Sequence, residues 1–399
     1  MPHFLSPKLK SRIYAAWYRL QFFLDFRSVT RILRYRKIRR TYYYAFWLDA
    51  AQNVGAEVKD SSFGFTEIIK DGCSTFVRDY EMMFDSHLML ELMGNKVMTY
   101  RLLLELDAPV IPHARFSMST LDIADQFLQQ HRQVVVKPSS GTGGGRGVTT
   151  GITTGKQLKA AARLASRFDS DLLIERQVEG HSFRLLFLDG EFIDAIRRDP
   201  PLVIGDGKST VAQLVKAENF RRETDPQTRA LSPLVIDRDA RNWMNSQGIK
   251  LSSVPAVNEV VQVKRATNEN NSSGNVNVTA AVSKDIVLEC ANLVRQIGVK
   301  FAGVDLICDD ISGPFSFPNC FVGEINTTPG LHHHYLIANP EAGNPVAEIA
   351  LRYLFEHQAG ISRSDKKKMQ LSAPAMHLEK PEEYGLTSEK AEPLPTSGH

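Results

Sequence analysis

Asp305 lies in the run FAGVDLICD, and Glu324 and Asn326 lie two apart in NCFVGEIN. Both runs are rich in apolar and β-branched residues and read as strands. Residues two apart on a strand share a face, so the second run presents a carboxylate and an amide together. Two carboxylates and an amide oxygen on neighbouring strands are hard donors. They suit magnesium, which is bound through one or two carboxylates plus nucleotide phosphates. The apolar neighbours argue against acids that merely face solvent at a strand end. A second cluster is VVVKPSSGTGGGRGVTT, residues 134–150, with glycine at 141, 143, 144, 145 and 147. The dinucleotide fingerprint fails there, because its sixth position is Arg146 or Val148. A P-loop ending at Gly207-Lys208-Ser209 fails because Leu202 stands where its first glycine belongs. The β-branched VTTGITT that follows favours a strand, so the glycines tip a strand–loop–strand flap. Gly143, Gly144, Gly145 and Gly147, with Arg146 among them, can lay backbone N–H groups over phosphates because no Cβ blocks the approach. Lys137 at the flap's base can reach a phosphate as a point charge. On this stretch alone, a surface hairpin fits equally well.

Other cations have weaker signals. Arg265, inside VQVKRAT, is expected on a strand near the metal site and facing an anion. Arg184 and Arg198 are candidates for a substrate carboxylate, which a guanidinium pairs bidentately. His332, His333 and His334 follow Pro329-Gly330 and read as a polar loop, since three consecutive histidines cannot all face one metal. No Ser-His-Asp or Cys-His arrangement stands out.

These groups need elements to hold them. A helix-like run covers LMLELMGNKVMTYRLLLELDA from Leu88, stopped by Pro109 and Pro112. A short helix near Leu121–Gln130, the quoted strand and flap, a helix near Lys156–Phe168 and a strand Asp171–Val178 follow. SFRLLFLDGEFIDAIRR is a β-hairpin turning at Asp189-Gly190. Leu234–Gly248 is expected helical, Val257–Ala266 a strand and Lys284–Ile297 a helix. No internal repeat is present. Residues 359–399 are rich in Lys, Glu, Pro and Ser and read as a disordered tail.

Bulk properties set outer limits. The chain has 399 residues, 43% hydrophobic and 23% charged, which is enough to bury a core. A net charge of +3 gives little reason to expect a nucleic-acid partner. None of the four cysteines, Cys73, Cys290, Cys308 and Cys320, forms a C-x-x-C pair, so reduced thiols are expected. No run reaches about 18 apolar residues, the length of a membrane span. Arg12, Arg19 and Asp25 interrupt any signal-peptide core, so the expected compartment is the cytoplasm. The first forty residues are basic, with aromatics interleaved at helical spacing (Tyr14, Trp17, Tyr18). Such a helix can contact an anionic membrane or a partner. The favoured reading packs its apolar face on the main domain or a partner while the arginines are solvated.

Taken in order, Asn95-Lys96 on a helix, VVVKP, the flap ending GRGV, LLIERQVEG and the late EIN resemble the ATP-grasp superfamily. The likeness is nearest to the ATP-grasp half of cyanophycin synthetases. It runs through roughly 95–334 by way of ERQVEGHSFRLLFLDGEFIDAIRRDPPLVIGDGKST, SVPAVNEVVQVKRAT and GVDLICDD…GEINTTPGLHHH. The resemblance implies an α+β fold with two α/β lobes holding ATP between antiparallel sheets. The ATP-grasp unit would be 88–358, with a lid at about 113–178 and a helical, basic region of unknown role at 1–87. It implies Lys96 and Lys137 on the phosphates and Asp305, Glu324 and Asn326 on Mg²⁺, two ions or Mn²⁺ in its place. Glu175 and Val178 would form the adenine hinge, with Gln177 its neighbour and Ser182 near the ribose. Arg265 would stabilise the transferring phosphoryl group and the later oxyanion. Asn271, Ser272 and His334 would contact substrate. The implied reaction is ATP-dependent carboxylate–amine ligation of an amino acid or small peptide through an acyl phosphate. A phosphotransferase and a non-catalytic ATP-binding scaffold are the alternatives. Three departures stand out. The P-loop half of cyanophycin synthetases is absent from this sequence. The substrate loop reads ATNENNSSGNVNVT. The ribose position is His181-Ser182 instead of an acid.

Overall fold

A computed structural model describes residues 26–60, 63–140, 145–225, 228, 230–267, 272–361 and 363–364. The readings made for residues 1–25, for Gly143 and Gly144, for Asn271 and for the tail beyond 364 lie outside the described residues.

The described chain begins with helix α1 (Phe26–Asn53), followed by a meander of β1 (Glu57–Asp60), β2 (Thr66–Lys70) and β3 (Cys73–Val77). The segment from Leu88 is two helices, α2 (His87–Gly94) and α3 (Lys96–Glu105), where one was expected. The break is at Asn95, whose extended backbone ends α2 and whose side chain caps α3 by accepting from the N–H groups of Val97 and Met98. Asparagine is among the best N-cap residues, and here it overrides the continuous apolar period.

Next comes a four-stranded antiparallel sheet in the order β4 (His113–Ser117), β7 (Asp171–Arg176), β5 (Val134–Pro138), β6 (Thr149–Ile152). Helices α4 (Leu121–His131) and α5 (Gly155–Ala165) cover one face and share its core with Phe116, Val134, Val136, Leu172 and Ile174. A capping box of Thr154 and Gln157 starts α5.

β8 (His181–Leu188) and β9 (Glu191–Arg198) form the expected hairpin. Asp189 and Gly190 turn it with φ of 51° and 77°, both positive, as a two-residue turn matched to strand twist demands. An inserted unit follows: β10 (Leu202–Ile204), α6 (Val211–Thr224), α7 (Arg238–Ser246) and β11 (Val260–Gln262), around Val203, Val211, Leu234, Met244 and Val261. Its helix and strand are shorter than the sequence suggested, and Arg265 therefore falls outside β11. β12 (Asn275–Asn277), α8 (Lys284–Ile297), β13 (Phe301–Cys308) and β14 (Cys320–Asn326) complete a second antiparallel sheet, ordered β12-β9-β8-β13-β14. Helix α8 has the bounds read from the sequence, because Ser283 caps its start and Gly298, left-handed at φ 84°, ends it. A turn of helix, α9 (His332–Tyr335), and helix α10 (Val346–Glu356) precede β15 (Arg363–Ser364). β15 pairs with β3, so the region read as a tail begins with an ordered strand.

The second sheet is buried on both faces, and strand alternation sorts them. Phe183, Leu185, Phe187, Ala302, Val304 and Leu306 pack with α8. Leu186, Leu188 and Phe301 face the other way, into a core built by Tyr43, Trp47, Ala50 and Ala51 of α1 and by α10. Residues 43–51 of this helix thus pack on the main body; the reading made for the aromatic run at Tyr14, Trp17 and Tyr18 lies outside the described residues. Cys308 and Cys320 are directly opposed in β13 and β14, with their sulfur atoms side by side. Cys73 and Cys290 are free. No helix among the described residues is long and apolar enough to cross a membrane.

Candidate active site

The face of the second sheet that carries Phe301 turns polar further along the same strands. Asp305 pairs in register with Arg184 on one side and Glu324 on the other, and Gly303 pairs with Asn326. A bulge at Gly323 makes this possible: Asp305 opposes Glu324 while Leu306 opposes Val322. Val322 and Ile325, an odd number apart, both enter the apolar core, and Glu324 and Asn326 share the opposite face. The charges then alternate across the strands. Arg184 grips Asp305 through two hydrogen bonds of 2.7 Å. Lys96, from the first turn of α3, donates to Glu324 at 3.1 Å. The Asn326 amide donates to Asp305 at 3.3 Å. Among the described residues no three His, Cys, Asp or Glu gather as a complete metal cage. Two carboxylates and an amide oxygen form a partial one, which fits magnesium that keeps phosphate and water ligands.

Lys96 also ties the two sheets together. Its backbone N–H donates to the carbonyl of Ser139, at the flap end of β5, at 2.9 Å. Ser139 and Ser140 are in turn pinned by Asp169, whose Oδ2 accepts from both hydroxyls and from the Ser140 N–H at 2.7–2.9 Å. On the far stem Gly147 is left-handed at φ 81°, and a Cβ there would sit 2.7 Å from Phe168 and 2.9 Å from Pro138, so only glycine fits. Gly145 is left-handed too, and Arg146 is exposed. Lys137 projects from the flap's base and pairs with Glu175 at 2.5 Å. Glu175 is 5% exposed and also accepts from the Tyr100 hydroxyl at 2.7 Å. The carboxylate read as a hinge contact is therefore held inside, engaged with the flap lysine. Gln177 accepts from the Gly151 N–H at 3.1 Å, which ties the hinge to β6. Val178 follows it, half-buried.

Beyond Arg184 the site has a buried corner. Ser182 pairs in register with Arg198, and its hydroxyl lies 3.5 Å from that of Thr267. Arg265 bonds Glu179 and stacks over Trp243 at 5.4 Å. Arg198 is 6% exposed, and burial and then the neighbouring Arg184 lower its pKa to about 10. His332, His333 and His334 were read as a polar loop but are all buried. The reason is Gly330 and the turn of α9, which fold them under the sheet: His332 Nδ1 is 2.6 Å from the Tyr43 hydroxyl of α1, and His334 Nδ1 is 2.5 Å from Asp194. Burial drives the His332 and His333 pKa values well down, assisted by Arg198 and Arg184. Ser272 opens a short helical turn ahead of β12.

The structure brings Lys96, Arg184, Asp305, Glu324 and Asn326 into direct contact and joins Lys137 to Glu175. Arg265 bonds Glu179 and not Asp305 or Glu324. Sequence reading missed Tyr43, Tyr100, Asp169 and Asp194. Tyr100, four residues after Lys96, could have been found from helical spacing; the other three reach their partners only through tertiary packing.

No protein-family model matches the sequence. Among curated proteins, the chain is 29% identical over 228 residues to a cyanophycin synthetase of Nostoc sp., covering 56% of this chain and 25% of that one. The cyanophycin synthetase of Synechocystis sp. is 30% identical over 227 residues, with 56% and 26% covered. A glutathione biosynthesis bifunctional protein of Pasteurella multocida is 24% identical over 338 residues, 83% of this chain and 43% of that one. The crystal structure of a bifunctional glutathione synthetase from Pasteurella multocida superposes with a TM-score of 0.50 at 23% identity, covering 77% of this chain and 44% of that chain. The chain thus spans a quarter to less than half the length of these relatives.

Proposed function

Starting from the ATP-grasp fold that this chain has, we propose that the protein is an ATP-dependent carboxylate–amine ligase acting on an amino acid or small peptide. The observation that carries this reading is the row Arg184–Asp305–Glu324–Lys96, fastened to the base of the glycine flap through the Lys96–Ser139 backbone bond. The names of the relatives, synthetases of cyanophycin and glutathione, support amide formation from amino acids.

In this reading residues 113–178 are the lid and 88–358 the catalytic unit. Asp305, Glu324 and Asn326 would hold magnesium, which would screen the triphosphate charge. Lys96 and Lys137 move from their carboxylate partners toward phosphate oxygens. The backbone N–H groups of Gly145, Arg146 and Gly147 cover the phosphates, and the hinge at Glu175 and Val178, with its neighbour Gln177 and with Ser182, borders the nucleoside. The carboxylate of the acid substrate takes the γ-phosphoryl group, and ADP leaves. Positioning and charge neutralisation do most of this work. The amine then attacks the acyl phosphate, a tetrahedral oxyanion forms, and phosphate departs as the amide closes. Arg265 swings from Glu179 to stabilise that oxyanion, and Ser272 and His334 line the substrate end. Closing the flap keeps water from the acyl phosphate. The cytoplasm, which supplies ATP and free amino acids, is the compartment the reading requires.

The test is ADP release from ATP and Mg²⁺ with pairs of amino acids, followed by mass spectrometry of the products. ADP release that needs both partners and yields an amide is the expected result. A phosphorylated product formed without an amine would instead identify a phosphotransferase. Glu324→Ala should lower turnover by roughly 100-fold or more through lost metal binding. A fully active variant would overturn the metal assignment.

A further inference from the structure

One corner of the molecule holds buried polar atoms with nothing to bond. Arg198 Nε, His333 Nδ1 and His334 Nε2 are all buried and lack hydrogen-bond partners among the described residues. An unsatisfied buried polar group is costly, and native folds keep few of them. The strand places them together: Asp194 and Arg198 share one face of β9, Asp194 holds the His334 ring, and Arg198 acts electrostatically on the adjoining His333. The two arginines on this face differ sharply. Arg184 is neutralised by its bidentate pair with Asp305. Arg198 has no carboxylate partner among the described residues, and its one hydrogen bond is a 3.5 Å contact to the Thr267 carbonyl. A buried guanidinium next to a second arginine, with Asp305 and Glu324 acting on it only at longer range and no carboxylate hydrogen-bonded to it among the described residues, is an incomplete ion pair.

The fold holds this corner firmly. Pro329 crosses the sheet against Gly303, where a Cβ would meet it at 3.0 Å and Arg184 at 3.5 Å. Tyr43 of α1 fixes His332. Asp194 is fully buried and accepts from Asn277, Thr279 and Asn344 as well as facing His334 Nδ1. A neutral imidazole that donates from Nδ1 to Asp194 presents Nε2 as an acceptor. The corner therefore offers a cation and, beside it, imidazole nitrogens able to accept N–H groups.

We propose that Arg198 receives the non-reacting carboxylate of an amino-acid substrate, whose ammonium group faces the ring nitrogens of His333 and His334. Arg184, already committed to Asp305, then serves the metal site and not the substrate. The weak Thr267 contact is the bond that gives way on entry. This assignment deepens the ligase reading and rests on it for the substrate's chemical role, but binding itself can be measured without turnover.

The experiment uses the full chain with Mg²⁺ and a non-hydrolysable ATP analogue. Thermal stabilisation and calorimetric affinity are measured for the common L-amino acids at millimolar concentration and for their α-carboxamides; asparagine and glutamine serve as the side-chain amides of aspartate and glutamate. At least one amino acid should bind, and its carboxamide should bind roughly 10- to 100-fold more weakly, the loss expected for a charge-assisted bidentate contact. Arg198→Met should abolish amino-acid binding and keep nucleotide binding. Arg198→Lys should retain part of it, because the charge stays and the fork is lost. If Arg198→Met does not fold, the carboxamide comparison in the unaltered protein decides. Equal binding of acid and carboxamide, unchanged affinity in either variant, or no amino acid bound would overturn the proposal. Binding with this pattern but without ADP release would sink the ligase reading alone. ADP release indifferent to the carboxylate at Arg198 would sink only the subsite.

Discussion

At the scale of single residues, the site is a set of cations waiting beside carboxylates. Lys137 and Glu175 are 12% and 7% exposed in their side chains and 2.5 Å apart. Removing one partner of a buried pair strands the other charge, at a cost of about 3–5 kcal/mol. Lys137→Met should therefore destabilise the fold by about 3 kcal/mol and abolish nucleotide binding. Adding Glu175→Gln should restore most of the stability and none of the binding, since Tyr100 can still bond the amide. Urea melts and nucleotide titrations of the two variants check both halves. The buried histidines set the acid limit of the fold. His332 and His333 have pKa values well below the usual 6.5, so the unfolded chain binds protons that the folded chain refuses. Their contribution to stability is present above about pH 6.5 and is lost as pH falls toward their folded values. The melting temperature should drop as pH is lowered below 6.5, and His333→Gln should flatten that slope. A slope unchanged by the substitution would show that other groups carry it.

At the scale of elements, caps and bulges aim the side chains. Asn95 ends α2 and starts α3, and so puts Lys96 in the first turn, where its side chain meets Glu324 and its N–H meets Ser139. Asn95→Ala should cost about 1 kcal/mol in stability, the usual value of an N-cap, and should raise KM for ATP more than it lowers kcat. Equal KM values for variant and parent would show that the cap does not position Lys96. The sequence carried much of this scale. Strand runs, the Asp-Gly hairpin and α8 were all legible because their signals are local: alternation, turn chemistry, a serine cap and a terminal glycine. The expected strand through Arg265 was not met, because the inserted unit pairs only Val260–Gln262 with β10 and lets the chain leave the ladder. The insert also reaches the flap's far stem: Asp239 accepts from the N–H and hydroxyl of Thr150 at 2.9 and 3.0 Å.

At the scale of the whole molecule, the N-terminal helix is part of the main body. Trp47 is 1% exposed, packs in the core that backs the second sheet, and donates its indole N–H to Asp79 at 2.7 Å. Tyr43, one turn earlier, anchors the histidine turn beside Arg198. Trp47→Ala should cost about 3–5 kcal/mol, the range for emptying a large aromatic site. A chain begun after residue 53 should fail to fold cooperatively, because Leu186, Leu188 and Phe301 would lose their cover. Circular dichroism melts of both proteins test this, and a cooperative, full-height transition in the truncated chain would refute it.

By itself the sequence determined the chemistry on offer. Oxygen donors at 305, 324 and 326, a glycine flap with a lysine at its base and arginines on a hairpin are facts of residue type and spacing. Periodicity placed most of them on strands, because alternation and turn preference act over a few residues. Only the tertiary structure decided which charge meets which. Arg184 is spent on Asp305 while Arg198 has no carboxylate bonded to it among the described residues, Glu175 turns inward to Lys137, and the three histidines are buried, His332 against a helix nearly three hundred residues earlier in the chain. Those outcomes depend on strand register, a bulge and the packing of distant elements. No local signal encodes them, because ion pairing is settled by where side chains end up and not by where they stand in the chain.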